Sequence, residues 1–236
     1  MPRIVDHAAR RTEIVYALWA VIHEKGLDSV SFRAVAEAAG VSIGRIQHYF
    51  ASKEELIREG CAQIVAAAED QYAEVPEDAG PRRTLWHLVA SPIPITQPRR
   101  LGAAVWYAYL AKSVSEPELR EIIAGAVDTA CTEATVLLHA VRSDTDSGSD
   151  GMGPGSDGMG TGPDGASAGP DGADGASSEV DSADSRTERE ALALLALGDG
   201  LAQRVIVGAL DSDDALAVLA QEFERRGLGG DGELSA

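Results

Sequence analysis

Apolar residues recur three or four positions apart along most of the chain, which is the spacing of helices with one buried face. Within residues 8–25 this stripe consists of Ile14, Val15, Leu18, Trp19 and Ile22. Gly26 follows and provides a stop signal. The sequence gives little sign of strands. The pattern therefore predicts an all-α protein.

Shorter and longer helices follow the first one. They are predicted at 33–39, 43–50, 53–73, 115–141, 187–208 and 211–227. Two more are predicted on the two sides of a proline-rich connection at 91–98. Ser42 is suited to cap the helix at 43–50. Ser52 and Glu55 form a capping box, in which the hydroxyl and the carboxylate satisfy each other's backbone amides.

One segment, residues 143–186, breaks the helical pattern. Its centre repeats every seven residues as SDGMGPG, SDGMGTG, PDGASAG and PDGADGA, from Ser149 to Ala176. The repeat has no apolar seam and is rich in glycine, so it is not a coiled-coil heptad. A segment with so few apolar residues and a net negative charge cannot bury enough apolar surface to offset the conformational entropy lost on ordering. We therefore expect a flexible acidic insertion.

Charge is distributed unevenly along the chain. The formal net charge is −18, yet residues 143–186 hold ten acidic residues against one arginine. Residues 1–60 hold eight basic and eight acidic residues and are neutral. The overall acidity therefore does not exclude a nucleic acid as partner of the N-terminal segment.

Cysteine usage and apolar runs indicate a cytoplasmic protein. Cys61 and Cys131 are the two cysteines of the chain, so no disulfide framework is expected. No secretory signal is visible, and no segment resembles an uninterrupted membrane span of roughly 18 apolar residues. We expect no contact with a membrane.

The predicted short helix at 33–39, the turn at Gly40 and the predicted helix at 43–50 have the layout of a helix-turn-helix. Small residues at Ala36 and Gly40 would let the two helices approach closely. Gln47 suits an adenine edge, and Arg45 suits a guanine edge or a phosphate. We further expect Val35, Val41, Ile46 and Phe50 to face inward. Gly44, Tyr49 and Lys53 complete the outer surface. Because Gly44 has no side chain, the backbone at this position could approach the DNA closely.

Residues 8–60 resemble the DNA-binding domain of the TetR family of bacterial transcriptional regulators. The resemblance rests on "IVYALWAVIHEKGLDSVSFRAVAEAAGVSIGRIQHYFASKEEL", with its Ala-Gly-Val-Ser, aromatic-Phe and Ser-Lys-Glu signatures. Together with "GDGLAQRVIVGALDSDDALAVL", the stretch "SIGRIQHYF" also resembles the BetI-like branch. The His-Tyr pair in the third helix and the long insertion depart from the family pattern.

The resemblance implies a two-domain, homodimeric regulator. A helix-turn-helix domain would occupy 1–52, and a helical ligand-binding and dimerisation domain would occupy 53–228, interrupted by the insertion at 143–186. The positions that match DNA contacts are Ser31, Arg33, Ser42, Gly44, Arg45, Gln47, His48, Tyr49 and Lys53. The implied partners are a palindromic double-stranded operator, a second copy of the chain and a small-molecule effector of unknown identity.

Two groups of residues in the rear half are candidates for the effector site and the dimer contact. The aromatic candidates for a pocket lining are Tyr72, Trp86, His87, Trp106, Tyr107 and Tyr109, each of which could equally be core. Arg99 and Arg100 could meet an anionic ligand or be solvated. The resemblance implies a four-helix dimer interface from the last two helices, with contacts at Leu195, Leu201, Val205, Leu216, Leu219 and Phe223.

Other classes of function have less support in the sequence. The five histidines are scattered, and no HExxH, GxSxG, P-loop or CxxC spacing occurs, so we expect neither an enzyme nor a metal or cofactor site. The remaining alternative is an acidic helical interaction protein that uses the helix-turn-helix as a structural core. The family implies repression more often than activation. Neither the operator nor the regulated gene follows from the sequence.

Overall fold

A computed structural model describes residues 7–73, 75–149 and 174–229. These ranges contain nine α-helices, two short 3-10 turns and no strand, which confirms the all-α prediction. The helices are α1 (His7–Lys25), α2 (Phe32–Ala38), α3 (Ile43–Tyr49), α4 (Lys53–Ala73), α5 (Gly80–Ala90), α6 (Gln97–Ser113), α7 (Pro117–Ser149), α8 (Asp174–Ile206) and α9 (Ser212–Arg225). The 3-10 turns are Leu27–Ser29 and Glu77–Ala79.

The capping box at the start of α4 forms with one difference from the expected pairing. The Glu55 amide donates to the Ser52 hydroxyl at 3.0 Å, as expected. The Glu55 carboxylate accepts from the amide of Ala51 at 2.7 Å instead of from that of Ser52. The box therefore stabilises both the first turn of α4 and the residue that links it to α3.

The two longest helices extend into the edges of the predicted insertion. α7 continues past Val141 to Ser149, and α8 begins at Asp174 rather than at Thr187. Two contacts between the helices lie where the extensions begin: His139 Nε2 lies 3.6 Å from an Asp184 carboxylate oxygen, and Arg142 donates to the Thr187 hydroxyl at 2.8 Å. The centre of the heptapeptide repeat, residues 150–173, lies outside the described residues, so its flexibility stays a prediction.

Buried apolar side chains form two clusters. The first, here called the head core, joins α1, α2 and α3 to the first half of α4, to α6 and to the start of α7. The second, here called the rear core, joins α5, the middle of α7, α8 and α9. The head core therefore continues past residue 52, because Leu56 and Cys61 of α4 and Tyr109 of α6 are part of it and have no exposed surface.

Three helices meet at Gly60 without room for a side chain. An added Cβ there would lie 2.5 Å from Leu18 Cδ2 and would also collide with the Tyr109 hydroxyl. The indole Nε1 of Trp19 donates to the Gly60 carbonyl at 3.1 Å. Glycine at this position thus allows α1, α4 and α6 to pack against one another.

A second close approach joins α8 to α5. An added Cβ at Gly198 would collide with the backbone carbonyl oxygen of Val89 and would lie 3.3 Å from its Cγ1. Glycine at position 198 therefore permits close packing of α8 against α5. Gly200 has no such contact, and Gly208 has a φ of +73° just after α8, where glycine serves the turn.

One helix of the described residues is long and apolar enough to cross a membrane by length and composition, namely residues 117–144 of α7. The sequence-based expectation was that no segment would reach the roughly 18 apolar residues of a membrane span. In the structure α7 packs against α4, α5, α6 and α8. Its buried residues, among them Ile123 and Leu138, belong to the two cores.

Candidate nucleic-acid interface

The turn between α2 and α3 is formed by backbone geometry at Gly40. Its φ is +64°, a conformation that side chains disfavour, and the Val41 amide donates to the Ala36 carbonyl at 2.9 Å. A Cβ at Gly40 would meet no atom within 4 Å. The expectation that Gly40 permits close helix approach is therefore wrong, and the positive φ is what requires glycine. Ala36, by contrast, is buried.

Serine hydroxyls cap both helices of the motif. Ser31 accepts from the Ala34 amide at 3.2 Å, and Ser42 accepts from the Arg45 amide at 3.3 Å. Each hydroxyl keeps its own proton, which it could donate to a phosphate oxygen. The two capping residues are exposed, so both hydroxyls are accessible.

The recognition-type helix α3 has one buried and one exposed face. Ile46 and the following Phe50 are buried in the head core, as expected. The candidate contact residues on the other face are exposed, namely Gly44, Arg45, Gln47 and His48, and Tyr49 is half-buried. A Cβ at Gly44 would meet nothing within 4 Å, so the backbone of α3 is open to close approach there.

Three cations flank this face. Arg33 in the first turn of α2 and Arg45 in α3 are exposed, and Lys53 at the start of α4 is half-buried. Within the part of the chain that the structure describes, none of the three forms an ion pair. Their charges are therefore available to neutralise phosphates.

The N-terminal end of α1 also borders α3. The His7 ring lies 4.6 Å from the Tyr49 ring and 6.2 Å from that of His48, centroid to centroid. A groove of about 270 Å³ separates α1 from the motif; it is lined by Arg10, Glu13, Ile14, Ala39, Val41, Arg45 and Tyr49. Sequence reasoning had treated α1 only as a core helix; the Arg10-Arg11 pair at its start was the available signal for a role near α3.

The aromatic residues proposed for an effector pocket lie in different parts of the structure. Trp86 is buried in the rear core, with its ring edge-on to Phe223 at 5.1 Å. Tyr109 is buried in the head core, and Trp106 packs against the same core. Tyr107 donates to the backbone carbonyl of Asp199 on α8 at 3.2 Å. The side chain of Tyr72 lies outside the described residues.

Helical geometry explains this separation. Trp106 and Tyr109 are three residues apart and share a face of α6, whereas Tyr107 is rotated by about 100°. Burial, and then the nearby Asp199 carboxylate, raise the pKa of Tyr107 to about 12. On α5, burial lowers the pKa of His87, and the charges of Arg83 and Arg99 lower it further. His87, Trp106 and Tyr107 are the described candidates that keep partial exposure.

Four of the six residues proposed for dimer contacts are buried within the single chain: Leu201, Val205, Leu219 and Phe223. They have little or no surface to offer a partner. Leu195 and Leu216 are half-buried against the rear core. Exposed apolar residues lie nearby, at Leu192 on α8 and Val218 on α9, with 54% and 43% of their surface exposed.

Comparison with known proteins places these features in one class. The family model described as "Bacterial regulatory proteins, tetR family" matches residues 14–59. The HTH-type transcriptional regulator PksA of Bacillus subtilis is 30% identical over 112 residues, which are 47% of this chain and 55% of that protein. BetI 2 of Chromohalobacter salexigens is 31% identical over 125 residues, 52% of this chain and 60% of that protein. The matched region thus spans little more than half the length of these relatives.

Solved structures share the whole fold. A regulator from Saccharomonospora viridis in complex with choline superposes with a TM-score of 0.68 at 22% identity, covering 92% of this chain and 96% of that one. A TetR-family regulator from Rhodococcus has a TM-score of 0.67 at 19% identity, covering 92% and 98%. The described fold is all-α, and residues 14–59 match the helix-turn-helix domain of the TetR family of bacterial transcriptional regulators.

Proposed function

We propose that this protein is a transcriptional repressor that binds a palindromic double-stranded DNA operator as a homodimer and is released by a small-molecule effector. The observation that carries the proposal is the exposed face of α3, whose helix is anchored by Ile46 and capped by Ser42. The match of residues 14–59 to the TetR family supports the same conclusion. Such a regulator works in the cytoplasm and needs no catalytic group.

The exposed face of α3 would enter the major groove. Gln47 and Arg45 would contact base edges, whereas Ser31, Arg33 and Lys53 would contact phosphates that position the protein. Ser42, His48 and Tyr49 would lie at the groove wall.

Dimerisation would pair α8 and α9 of two chains, because two DNA-binding domains must contact the two half-sites of a palindromic operator. We propose that Leu192 and Val218 contact the partner, with Leu195 and Leu216 beside them. The buried residues between them would stabilise the interface by holding α8 and α9 together. We propose a head at 1–52, whose core continues into α4 and α6, and a rear domain at 53–228; within the proposed insertion at 143–186, α7 extends to Ser149 and α8 begins at Asp174.

The effector would act through the rear domain. The structural relative from Saccharomonospora viridis holds choline, and relatives matching this chain are named BetI, which supports a small-molecule effector and a BetI-like branch. His87, Trp106 and Tyr107 are the partly exposed aromatic candidates. The effector must bind the dimer whose heads do not fit the operator more tightly than the dimer whose heads do. Equal affinity for both would leave the equilibrium between them unchanged.

Replacing Gln47 by alanine tests whether α3 recognises the base sequence of the operator. The variant should lose roughly 5- to 150-fold in operator affinity, the range expected for one bidentate base contact, with unchanged dependence on salt. Its thermal stability should match the wild type because Gln47 is exposed. The operator would be selected from genomic fragments, starting with the DNA upstream of the gene, and affinities measured by fluorescence anisotropy at several salt concentrations.

Gln97→Ala, an exposed glutamine at the start of α6, is the matched control and should bind like the wild type. Tyr49→Ala is less suited, because the Tyr49 ring also packs on His7. Selective binding that survives Gln47→Ala unchanged would contradict the proposed contact. A folded wild type that binds no fragment selectively would favour a purely structural helix-turn-helix.

Gly44→Ala separates stability from DNA binding at one position. Alanine is the better helix former by about 1 kcal/mol, and nothing lies within 4 Å of the new methyl group, so the melting temperature should rise slightly. The methyl group should instead obstruct the approach of α3 to DNA and weaken operator binding about tenfold. Calorimetry and anisotropy on the same samples would check both. Equal or tighter operator binding would exclude close approach at Gly44.

A further inference from the structure

The side chain of Arg11 on α1 links α1 to α3 and to α4. Its Nη1 donates to the backbone carbonyl of Tyr49, the last residue of α3, at 2.7 Å. Its Nη2 lies 3.0 Å from Oε2 of Glu59 and 3.6 Å from Oε1 of Glu55, both on α4. The planar guanidinium group can make these contacts at once because its donors point in fixed, separate directions.

An aromatic ring completes the surroundings of Arg11. Its guanidinium carbon lies 4.3 Å from the ring centroid of Phe50, which is buried in the head core. The Arg11 side chain is 25% exposed and that of Glu59 is 31% exposed, so solvent screens the pair only in part. Burial alone would raise the pKa of Glu59, but hydrogen bonds from Gln63 and Arg11 outweigh it and lower that pKa.

The bond to Tyr49 matters because α3 is short. A helix of seven residues leaves its last carbonyl groups without partners inside the helix, and a cation near them is favourable. The start of α3 is fixed by the Ser42 cap, and its middle by Ile46. Arg11 fixes its end.

We propose that Arg11 is a positioning residue, which sets the angle of α3 against α1 and α4 without itself contacting DNA. The inference rests on the proposed function of α3 as the DNA-reading helix. It adds a residue outside the helix-turn-helix to the determinants of operator binding. Because α4 leads into the rear domain, the same side chain would make α3 follow movements of the first turns of α4.

Replacing Arg11 by glutamine provides the test. We expect operator affinity to fall about 10- to 100-fold, because the variant loses the charge-assisted hydrogen bonds that hold α3 in place. The slope of log K against log salt should stay that of the wild type, because no phosphate contact is removed. Amide hydrogen exchange in α3 should become faster, while exchange in α5 and α8 stays unchanged.

Two further variants make the test specific. Arg10→Gln removes the same charge one residue earlier. Among the described residues, Arg10 forms an ion pair only with Glu13 of its own helix, so this variant should leave amide exchange in α3 unchanged. Arg11→Lys keeps the charge but presents a single ammonium group, so it should show intermediate affinity and exchange. The lysine variant also serves if the glutamine variant fails to fold.

The outcomes separate this inference from the proposed function. A salt slope that falls by about one in Arg11→Gln would show a direct phosphate contact and overturn the positioning role. Unchanged affinity or unchanged exchange in α3 would overturn it as well. If the wild type bound no operator while exchange in α3 still rose in the variant, DNA reading would be refuted and the anchoring of α3 by Arg11 supported.

Discussion

Replacing Gly198 by alanine is expected to lower the free energy of unfolding by about 3 kcal/mol. The new methyl group would collide with the carbonyl oxygen of Val89, which belongs to the backbone of α5. A flexible side chain could turn aside, but the backbone of the last turn of α5 is held by the buried side chains of Val89 and Ala90, so α5 and α8 must separate. Their separation would open the rear core, in which Val89 and Leu194 have no exposed surface. Alanine's better helix propensity offsets only about 1 kcal/mol of this cost.

Urea unfolding followed by circular dichroism would measure the effect of Gly198→Ala. Gly125→Ala on α7 is the matched control, because a methyl group there meets nothing within 4 Å. That variant should be as stable as the wild type or more stable by up to about 1 kcal/mol. Equal stabilities for the two variants would show that α5 and α8 are not in close contact at this point.

Replacing Phe223 by alanine should cost about 3–5 kcal/mol, the range found for truncating a buried aromatic side chain. Phe223 has no exposed surface and lies edge-on against Trp86, with an angle of 84° between the ring planes. It is also the last of three residues, with Ala215 and Leu219, that bury α9 against the rear core. Loss of its ring would leave a cavity beside Trp86 and loosen the end of α9.

The Phe223 variant also distinguishes a core residue from a dimer contact. For a core residue, the loss of stability relative to the wild type stays the same when the protein is diluted. Val218→Ala, on the exposed side of the same helix, should change stability within about 0.5 kcal/mol in the monomer but weaken self-association in analytical ultracentrifugation. A small effect of Phe223→Ala in dilute protein, growing with concentration, would reassign Phe223 to the interface.

The head could be predicted from the sequence because its signals are local. Ser42 caps α3 through an amide three residues away, and Ser52 and Glu55 cap α4 within one turn. A hydroxyl or carboxylate at a helix start acts on neighbours that the sequence itself specifies. The exposed face of α3 followed from the same periodicity, since Ile46 and Phe50 had to point inward.

The rear domain could be predicted only in outline, because its arrangement depends on contacts distant in sequence. Trp86 meets Phe223, and Tyr109 meets Gly60, and no local pattern indicates either pair. The same holds for Arg11, whose partners lie 38 and 48 residues further along the chain. The ends of α7 and α8 were missed because Asp, Ser and Gly in this region suggested a loop, whereas the two helices continue to Ser149 and from Asp174.

The close contact at Gly60 has a consequence for building chimeric regulators. Leu18 belongs to the head, Gly60 to the connecting helix α4, and Tyr109 to the rear domain. When domains are exchanged between two regulators, these three residues can therefore come from different parent proteins. A fusion point before Gly60 that joins this head to a foreign rear domain could place a larger residue against Leu18 and Trp19. Hybrids that carry Leu18, Gly60 and Tyr109 together should therefore fold, and the choice of crossover point should follow this triad instead of the boundary between the two domains.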